Sequence, residues 1–130
     1  MLARTLLKSK IHRATVSAAD LNYVGSLTVD ATLLAAADIV EFEQVHVVNI
    51  NNGARFETYI ISGEPDSGVM QVNGAAARLA QPGDIVIVLS YAVVPETARH
   101  EHIPQVVHVD GRNSIIDVSA TAEPDDRVTA

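Results

Sequence analysis

The residues whose types most clearly suggest a reaction are two consecutive ones, Gly25 and Ser26. Because glycine has no Cβ, the hydroxyl of the next residue can approach its carbonyl carbon closely, and glycine also accepts strained backbone angles. An N→O acyl shift requires this geometry. A Gly-Ser pair is also an ordinary turn dipeptide, and the two residues alone favour the turn.

The sequence gives less support to a catalytic thiol, a metal site or a hydrolase triad. The sequence has no cysteine, which excludes disulfides, thiolate metal sites and thiol nucleophiles. Its five histidines do not combine with carboxylates at the spacing of metal ligands, and no G-x-S-x-G motif occurs. We therefore predict neither a metal site nor a hydrolase triad.

Charge and composition narrow the class of protein. The 130 residues carry a formal net charge of -7, and 48% of them are hydrophobic. One packed domain fits this length, and the acidic balance argues against nucleic-acid binding, which needs clustered Lys and Arg. A short basic segment from Lys8 to Arg13 is typical either of a solvated strand face or of a pocket for a small anion.

Nothing in the sequence predicts contact with a membrane. The N-terminal sequence MLARTLLKSK lacks the apolar core of a signal peptide, and no apolar run approaches the length of a membrane span. We therefore expect a cytoplasmic protein.

Short strands separated by turns dominate the predicted elements. Asp30 is a good N-cap for a helix over Ala31–Ala37, and a single helical turn is predicted at Ala75–Leu79. The turn at residues 51–53 ends in Asn-Gly, which supplies the positive φ angles of a tight hairpin. The predicted strands cover residues 11–16, 44–50, 55–62, 69–72, 85–94, 106–109 and 115–118.

The longest apolar run, residues 85–94, predicts a buried central strand because its β-branched content argues against a helix. Many short strands with few helices indicate a mainly β fold, a small closed β-barrel. We predict one domain over residues 1–120, followed by a polar, flexible tail at 121–130.

Several motifs connect Gly25 and Ser26 with a known family through their order and spacing. They are KSKIHRATV (8–16), ADLNYVGS (19–26), NGAR (52–55) followed by Thr58 and Tyr59, VNGAAA (72–77) and PGDIVI (82–87). From about Met1 to Asp117 the sequence resembles the pyruvoyl-dependent aspartate 1-decarboxylase family. This resemblance implies a double-psi β-barrel that assembles as a homotetramer and carries a covalent pyruvoyl group. It also implies decarboxylation of L-aspartate to β-alanine and CO2, a step toward pantothenate and coenzyme A.

The resemblance assigns a role to each matching residue. It implies self-cleavage between Gly25 and Ser26, which leaves a β chain of residues 1–25 and an α chain of residues 26–130, with Ser26 becoming the pyruvoyl group. Thr58 is expected to assist this cleavage, and Tyr59 to donate a proton during decarboxylation. The residues expected to contact substrate are Lys10, Arg55, Asn73, Gly74, Ala75 and Ala76.

The sequence departs from the family pattern at three positions. Asn22 and Arg78 stand where members often have histidine, and Val48 replaces an aromatic pocket residue of some members. The polar surroundings of the cleavage loop and the detail of the pocket are therefore expected to differ, although the reaction is not.

Two alternatives stay open on the sequence alone. The first is a non-catalytic double-psi barrel that remains uncut and serves as a binding or assembly module; the presence of Gly25, Ser26, Thr58 and Tyr59 together argues against it. The second is a decarboxylase of a related amino acid, since one extra methylene changes binding by only about 1 to 3 kcal/mol. A requirement for a maturation factor is also undecided.

Overall fold

One sheet of nine strands forms the frame of residues 1–120, the part of the chain that the computed structural model describes. The strands are β1 (Ala3–Thr15), β2 (Ala18–Asp20), β3 (Ser26–Asp30), β4 (Gln44–Asn49), β5 (Arg55–Gly63), β6 (Met70–Asn73), β7 (Ile85–Pro95), β8 (Gln105–Val109) and β9 (Ile115–Ser119). The helical segments are α1 (Ala31–Ala37) and two 3-10 helices, Gly74–Arg78 and Glu96–Glu101.

The sheet closes on itself where β1 is joined to β2. The strand order is β2-β6-β3-β5-β4-β7-β1-β8-β9, so β1 lies near one end and β2 forms the other. Only Val16 and Ser17 join these strands, a link that spans roughly 10 Å at most. Ser17 holds this link beside β6, because its backbone N donates to the Met70 carbonyl at 2.9 Å and its Oγ accepts from the Met70 N at 2.8 Å. The predicted small, mainly β barrel is therefore confirmed.

A single apolar core fills the barrel. Its members come from the inward positions of seven strands and from α1, and the largest fully buried ones are Ile11, Leu27, Leu33, Ile60 and Met70. The inward and outward positions alternate along the strands, as a half-buried sheet requires. Several polar side chains are also buried, among them those of Ser26 and Asn73.

The local predictions that rested on capping and turn chemistry are confirmed. Asp30 caps α1 by accepting a hydrogen bond from the Thr32 N at 2.8 Å, and the helix covers the predicted residues. Strands β4 and β5 form the predicted antiparallel hairpin. The apolar strand β7 lies inside the sheet between β4 and β1.

The first strands differ from the prediction. β1 begins at Ala3 rather than at residue 11, and register shifts between Leu7 and Ser9 and between Ile11 and Ala14 break the alternation that marks a strand. β2 and β3 were not predicted, because both are short and flank the polar loop of residues 21–25. The 3-10 helix Glu96–Glu101 was also missed, since none of its residues is buried and it therefore has no apolar face.

Two sequence predictions concern regions for which the structure adds little. The tail at 121–130, expected to be flexible, lies outside the described residues. Within residues 1–120, no helix has the length and apolar character to cross a membrane.

A polar network fixes the segment between α1 and β4 against the outside of the barrel. Glu43 Oε2 accepts from Lys8 Nζ at 2.9 Å and from Ser90 Oγ, and Glu43 Oε1 accepts from the Val40 N at 3.1 Å. Burial raises the pKa of Glu43, but the hydrogen bonds from Ser90, Lys8 and Val40 together lower it below its ordinary value. The charged form of Glu43 therefore stabilises the fold.

This network predicts a loss of stability in acid. Because the folded pKa of Glu43 is depressed, its contribution is present above the unfolded pKa and is lost as pH falls through the folded pKa. At neutral pH, Glu43→Gln should lower the free energy of unfolding by about 1.5 to 3 kcal/mol, the usual value for hydrogen bonds to a charged group. The difference from the parent should shrink as pH falls through this depressed pKa.

Denaturant unfolding at several pH values measures this difference. Glu64→Gln, at an exposed glutamate outside the network, is the matched control and should leave the profile unchanged. A Glu43→Gln protein as stable as the parent at neutral pH would contradict the assigned role of the network.

Candidate active site

Ser26 is the first residue of β3, and its side chain is buried at the outer edge of the barrel. It is 1% exposed, although Gly25 and the loop before it are exposed. Its Oγ donates to the Val24 carbonyl at 2.9 Å and accepts from Asn73 Nδ2 at 3.0 Å. One acceptor, the Val24 carbonyl, and one donor, Asn73 Nδ2, therefore hold the hydroxyl of Ser26, the residue that directly follows the Gly25 carbonyl.

Asn73 is held in turn by its neighbours on β3 and β6. In the antiparallel pairing of these strands Ser26 lies opposite Asn73, and Thr28 lies opposite Gln71. Asn73 Nδ2 also donates to Thr28 Oγ1 at 3.1 Å, while Asn73 Oδ1 accepts from Gln71 Nε2 at 2.8 Å. These four side chains share the outer face, and the amide of Asn73 is oriented from both ends.

The cleavage loop rests against Gly74, the residue after Asn73. Gly74 has a φ of +73°, and a Cβ built on it would lie 2.6 Å from the Gly25 Cα. At Gly25 itself, a Cβ would meet no atom within 4 Å, and its φ is not positive. In the uncut chain, therefore, Gly74 rather than Gly25 is the position where packing demands glycine.

Thr58 and Tyr59 approach from the other neighbour of β3. β3 and β5 are parallel with Leu27 opposite Ile60, and one residue back along both strands this register brings Ser26 to the level of Tyr59. Thr58 is one residue further back on β5, toward the end at which Gly25 precedes β3. Tyr59 shares the outer face with Ser26. Thr58 lies on the face of its partner Val45, which is fully buried. Both residues are half-buried.

Lys10 and Arg55 lie elsewhere on the outer face of the same chain. Lys10 is opposite Leu89, Leu89 is opposite His46, and His46 is opposite Glu57. Measured along the sheet, three strand spacings, or about 14 Å, therefore separate Lys10 from β5. Arg55 precedes Tyr59 by four residues, which is about 13 Å along the strand. One chain thus brings Gly25, Ser26, Thr58, Tyr59, Asn73 and Gly74 together but leaves both predicted carboxylate contacts at a distance.

Arg55 instead lines a groove on the outside of β4, β5 and β7. The groove has a volume of about 670 Å³ and includes His46, Tyr91 and Val93 among its walls. His46 lies 3.3 Å from the Glu57 carboxylate, and its ring contacts Tyr91 edge to face with centroids 5.0 Å apart. Arg55 is itself exposed, so its guanidinium is available to an anion.

The other predicted positions lie around these groups. Ala75 is exposed and Ala76 half-buried in the 3-10 helix that Gly74 begins. Asn22 is exposed in the loop before Ser26, where its backbone N donates a hydrogen bond to Asp20 Oδ1 at 2.9 Å. Arg78 is exposed at the end of the 3-10 helix, and Val48 is opposite Arg55 on β4.

Sequence reasoning missed Thr28, Gln71 and Phe42. The alternation of buried Met70 and Val72 with Gln71 and Asn73 carried a signal for Gln71, whereas Thr28 was hidden because β3 was not predicted. The Phe42 ring lies 6.5 Å from that of Tyr59, in a residue with the unusual φ of +71°. Nothing in its sequence surroundings indicated this contact.

No group of three or more His, Asp or Glu side chains within residues 1–120 is arranged to hold a metal ion. The site is instead built from a serine hydroxyl, an amide, a threonine and a tyrosine around one exposed peptide bond.

Comparison with known proteins assigns the family. A family model described as aspartate decarboxylase matches residues 2–116. The chain belongs to this family. It is 60% identical over 114 residues to the aspartate 1-decarboxylase of Pelotomaculum thermopropionicum, which covers 88% of this chain and 86% of the relative. It is 57% identical over 124 residues to the aspartate 1-decarboxylase of Mycolicibacterium smegmatis, covering 95% of this chain and 91% of the relative. The family resemblance of the ordered motifs is confirmed.

Proposed function

We propose that this member of the aspartate decarboxylase family removes the α-carboxylate of L-aspartate to give β-alanine and CO2. We further propose that it uses a pyruvoyl group made from its own Ser26. The observation that carries this proposal is the hydrogen-bonded Ser26 hydroxyl beside the exposed Gly25 peptide. In a cell, the β-alanine would serve pantothenate and coenzyme A synthesis in the cytoplasm.

Self-cleavage begins with the Ser26 hydroxyl. Its Oγ forms a bond to the Gly25 carbonyl carbon, the C–N bond to Ser26 breaks, and the hydroxyl proton passes to the released nitrogen, which leaves an ester. The hydrogen bond from Asn73 Nδ2 holds Oγ in place, and in the resting state the hydroxyl donates a hydrogen bond to the Val24 carbonyl. One preorganised donor at the oxyanion contributes roughly 10²- to 10³-fold, the role proposed for Thr58.

Elimination then breaks the ester. Loss of the Ser26 Cα proton releases the Gly25 carboxylate and leaves a dehydroalanine at residue 26. Water replaces its nitrogen, ammonia departs, and a pyruvoyl group remains at the start of the α chain. The surroundings fit this small planar group, since the buried pocket of Ser26 offers the Asn73 amide as a donor and Gly74 adds no side chain.

When present, the pyruvoyl group supplies a carbonyl that accepts electrons from a bound amino acid as its carboxylate leaves. Tyr59, on the same outer face as residue 26, holds a proton where the product carbon forms. Arg55 can bind a carboxylate through two parallel hydrogen bonds, and Lys10 offers a point charge. These residues perform the orienting and protonating steps.

The homotetramer implied by the resemblance provides a route for Lys10 and Arg55 to reach the site. Both lie on the outer face of the barrel, away from Ser26 of their own chain. Beside Arg55 the groove wall carries apolar residues, among them the exposed Val93. We propose that the outer face of one copy lies against the Ser26 loop of another, so that carboxylate-binding residues and residue 26 come from different copies.

An activity assay without added cofactor tests the proposed function. Purified, processed protein should convert L-aspartate to β-alanine with equal release of CO2, and pretreatment with phenylhydrazine, which reacts with carbonyls, should abolish the activity. L-glutamate, one methylene longer, should react more slowly by about 10-fold or more. Processed protein that turns over neither amino acid would favour the binding-module alternative, whereas a preference for glutamate would reassign the substrate.

Thr58→Ala tests whether Thr58 is the hydrogen-bond donor that assists self-cleavage. We expect this variant to fold and assemble yet to be cleaved about 10²-fold more slowly, because the oxyanion loses its donor. Cleavage is followed on denaturing gels over time, with Thr32→Ala, in a helix away from the loop, as the control. Cleavage of Thr58→Ala at the parental rate would show that another group stabilises the oxyanion.

A further inference from the structure

We propose that Gly74 is a positioning residue for self-cleavage. Because it has no side chain, the backbone of the uncut loop at residues 23–25 can pack against it, and this contact holds the Gly25 carbonyl beside Ser26. This role precedes the cofactor, and it differs from the substrate contact that the resemblance assigns to Gly74. The inference rests on the proposed self-cleavage.

Two independent observations require glycine at this position. First, the φ of +73° is in the left-handed region, which side chains other than glycine rarely adopt. Second, a Cβ would lie 2.6 Å from the Gly25 Cα, 2.9 Å from the Gly25 N and 3.4 Å from the Tyr23 carbonyl oxygen. All three contacts are to backbone atoms of the loop, which cannot swing aside as the end of a long side chain can.

The contacts with Gly25 fall on the residue whose carbonyl must be attacked. Gly74 follows Asn73, which holds the Ser26 hydroxyl, so the two neighbours fix the two reacting groups. Asn73 fixes the nucleophile, and Gly74 fixes the electrophile by allowing its backbone to approach. Because Asn73 and Gly74 are consecutive residues, the end of β6 and the residue after it set the position of Oγ relative to the Gly25 carbonyl.

A methyl group at residue 74 would displace the scissile peptide. To restore an ordinary contact of 3.4 Å, the Gly25 Cα would have to move by about 0.8 Å. A misplacement of about 1 Å between reacting groups can cost roughly 10²-fold in rate. We therefore expect Gly74→Ala to fold and to be cleaved at least 10-fold more slowly than the parent.

The matched control is Gly53→Ala, in the turn between β4 and β5. Gly53 has nearly the same φ, +76°, but a Cβ there would meet no atom within 4 Å. This variant carries the backbone cost of a left-handed alanine without the contact on the loop. It should lose some thermal stability and be cleaved at the parental rate.

The experiment follows cleavage of the freshly purified full chain by intact mass, with thermal unfolding measured on the same samples. Hydroxylamine, which splits esters, gives a second readout. It should release no extra fragment from Gly74→Ala, because the slowed step is formation of the ester itself. Gly74→Asn adds the same Cβ in a residue that tolerates positive φ, and it should also be cleaved slowly.

The outcomes separate this inference from the proposed function. A parent that is never cleaved would overturn the self-cleavage proposal and this inference with it. A parent that is cleaved, with a folded Gly74→Ala or Gly74→Asn protein cleaved equally fast, would overturn only the inference. Failure of both variants to fold would overturn it as well, because Gly74 would then serve the fold rather than the loop.

Discussion

Ser26→Ala protein is expected to remain one uncut chain and to form no β-alanine. The substitution removes Oγ, which is the proposed nucleophile, and it also removes the precursor of the cofactor. The expected loss of cleavage is therefore complete rather than partial. A denaturing gel after prolonged incubation and an assay with L-aspartate measure the two effects.

The fold should survive this change. Ser26 Oγ makes one hydrogen bond with the Val24 carbonyl and one with Asn73, and Asn73 keeps its bonds to Thr28 and Gln71. Ser67→Ala, at an exposed serine in the loop before β6, is the control and should be cleaved normally. Cleavage of Ser26→Ala between residues 25 and 26 would contradict the assignment of the nucleophile.

Tyr59→Phe is expected to separate the two chemical stages. The phenol is assigned to protonation of the product carbon and not to self-cleavage, so the chain should be cut normally. Formation of β-alanine should then fall by about 10² or more, the usual contribution of a positioned general acid. Because the ring remains, its contact with Phe42 and the packing of β5 should persist.

Steady-state kinetics on fully processed protein check this prediction. The fall should appear in kcat with little change in KM, since an interaction used only in the transition state is removed. Thr32→Ala, which removes a hydroxyl from α1 away from the site, is the control for loss of a hydroxyl. A processed Tyr59→Phe protein with near-parental turnover would leave an ordered water as the proton source.

Much of the fold was predictable because it depends on local chemistry. The Asp30 cap, the Asn-Gly turn of the β4-β5 hairpin and the long apolar strand β7 each carry their signal within a few residues. β1 was foreshortened because its register shifts interrupt the alternation of side chains. β3 was not predicted because Ser26 and Asp30, at its two ends, are buried but polar, so its sequence is not the apolar run that indicates a buried strand.

The site was less predictable than the fold because it depends on pairing between distant strands. Ser26 and Asn73 are opposite one another on β3 and β6, and their hydrogen bond joins residues 47 positions apart. No local pattern gives that register. The family motifs supplied these residues together, but they did not reveal that Gly74 carries the loop, nor that Lys10 and Arg55 lie away from Ser26 within one chain.

The separation of Lys10 and Arg55 from residue 26 gives assembly a chemical role in this account. In the proposed mechanism a single barrel holds the groups for self-cleavage, while binding of the substrate carboxylates would depend on the outer face of another copy. Self-cleavage should therefore require fewer contacts between copies than decarboxylation does. Self-cleavage is therefore expected to depend mainly on the groups around Ser26 in the same chain.

The intact mass of the purified protein tests the central claim most directly. The 130-residue chain should give fragments of 25 and 105 residues, ending at Gly25 and starting at residue 26. The larger fragment should be lighter by one ammonia than a chain that begins with serine, because the nitrogen of Ser26 is lost as the pyruvoyl group forms. A full-length mass that persists through prolonged incubation, or a 105-residue fragment that still begins with serine, would contradict the account.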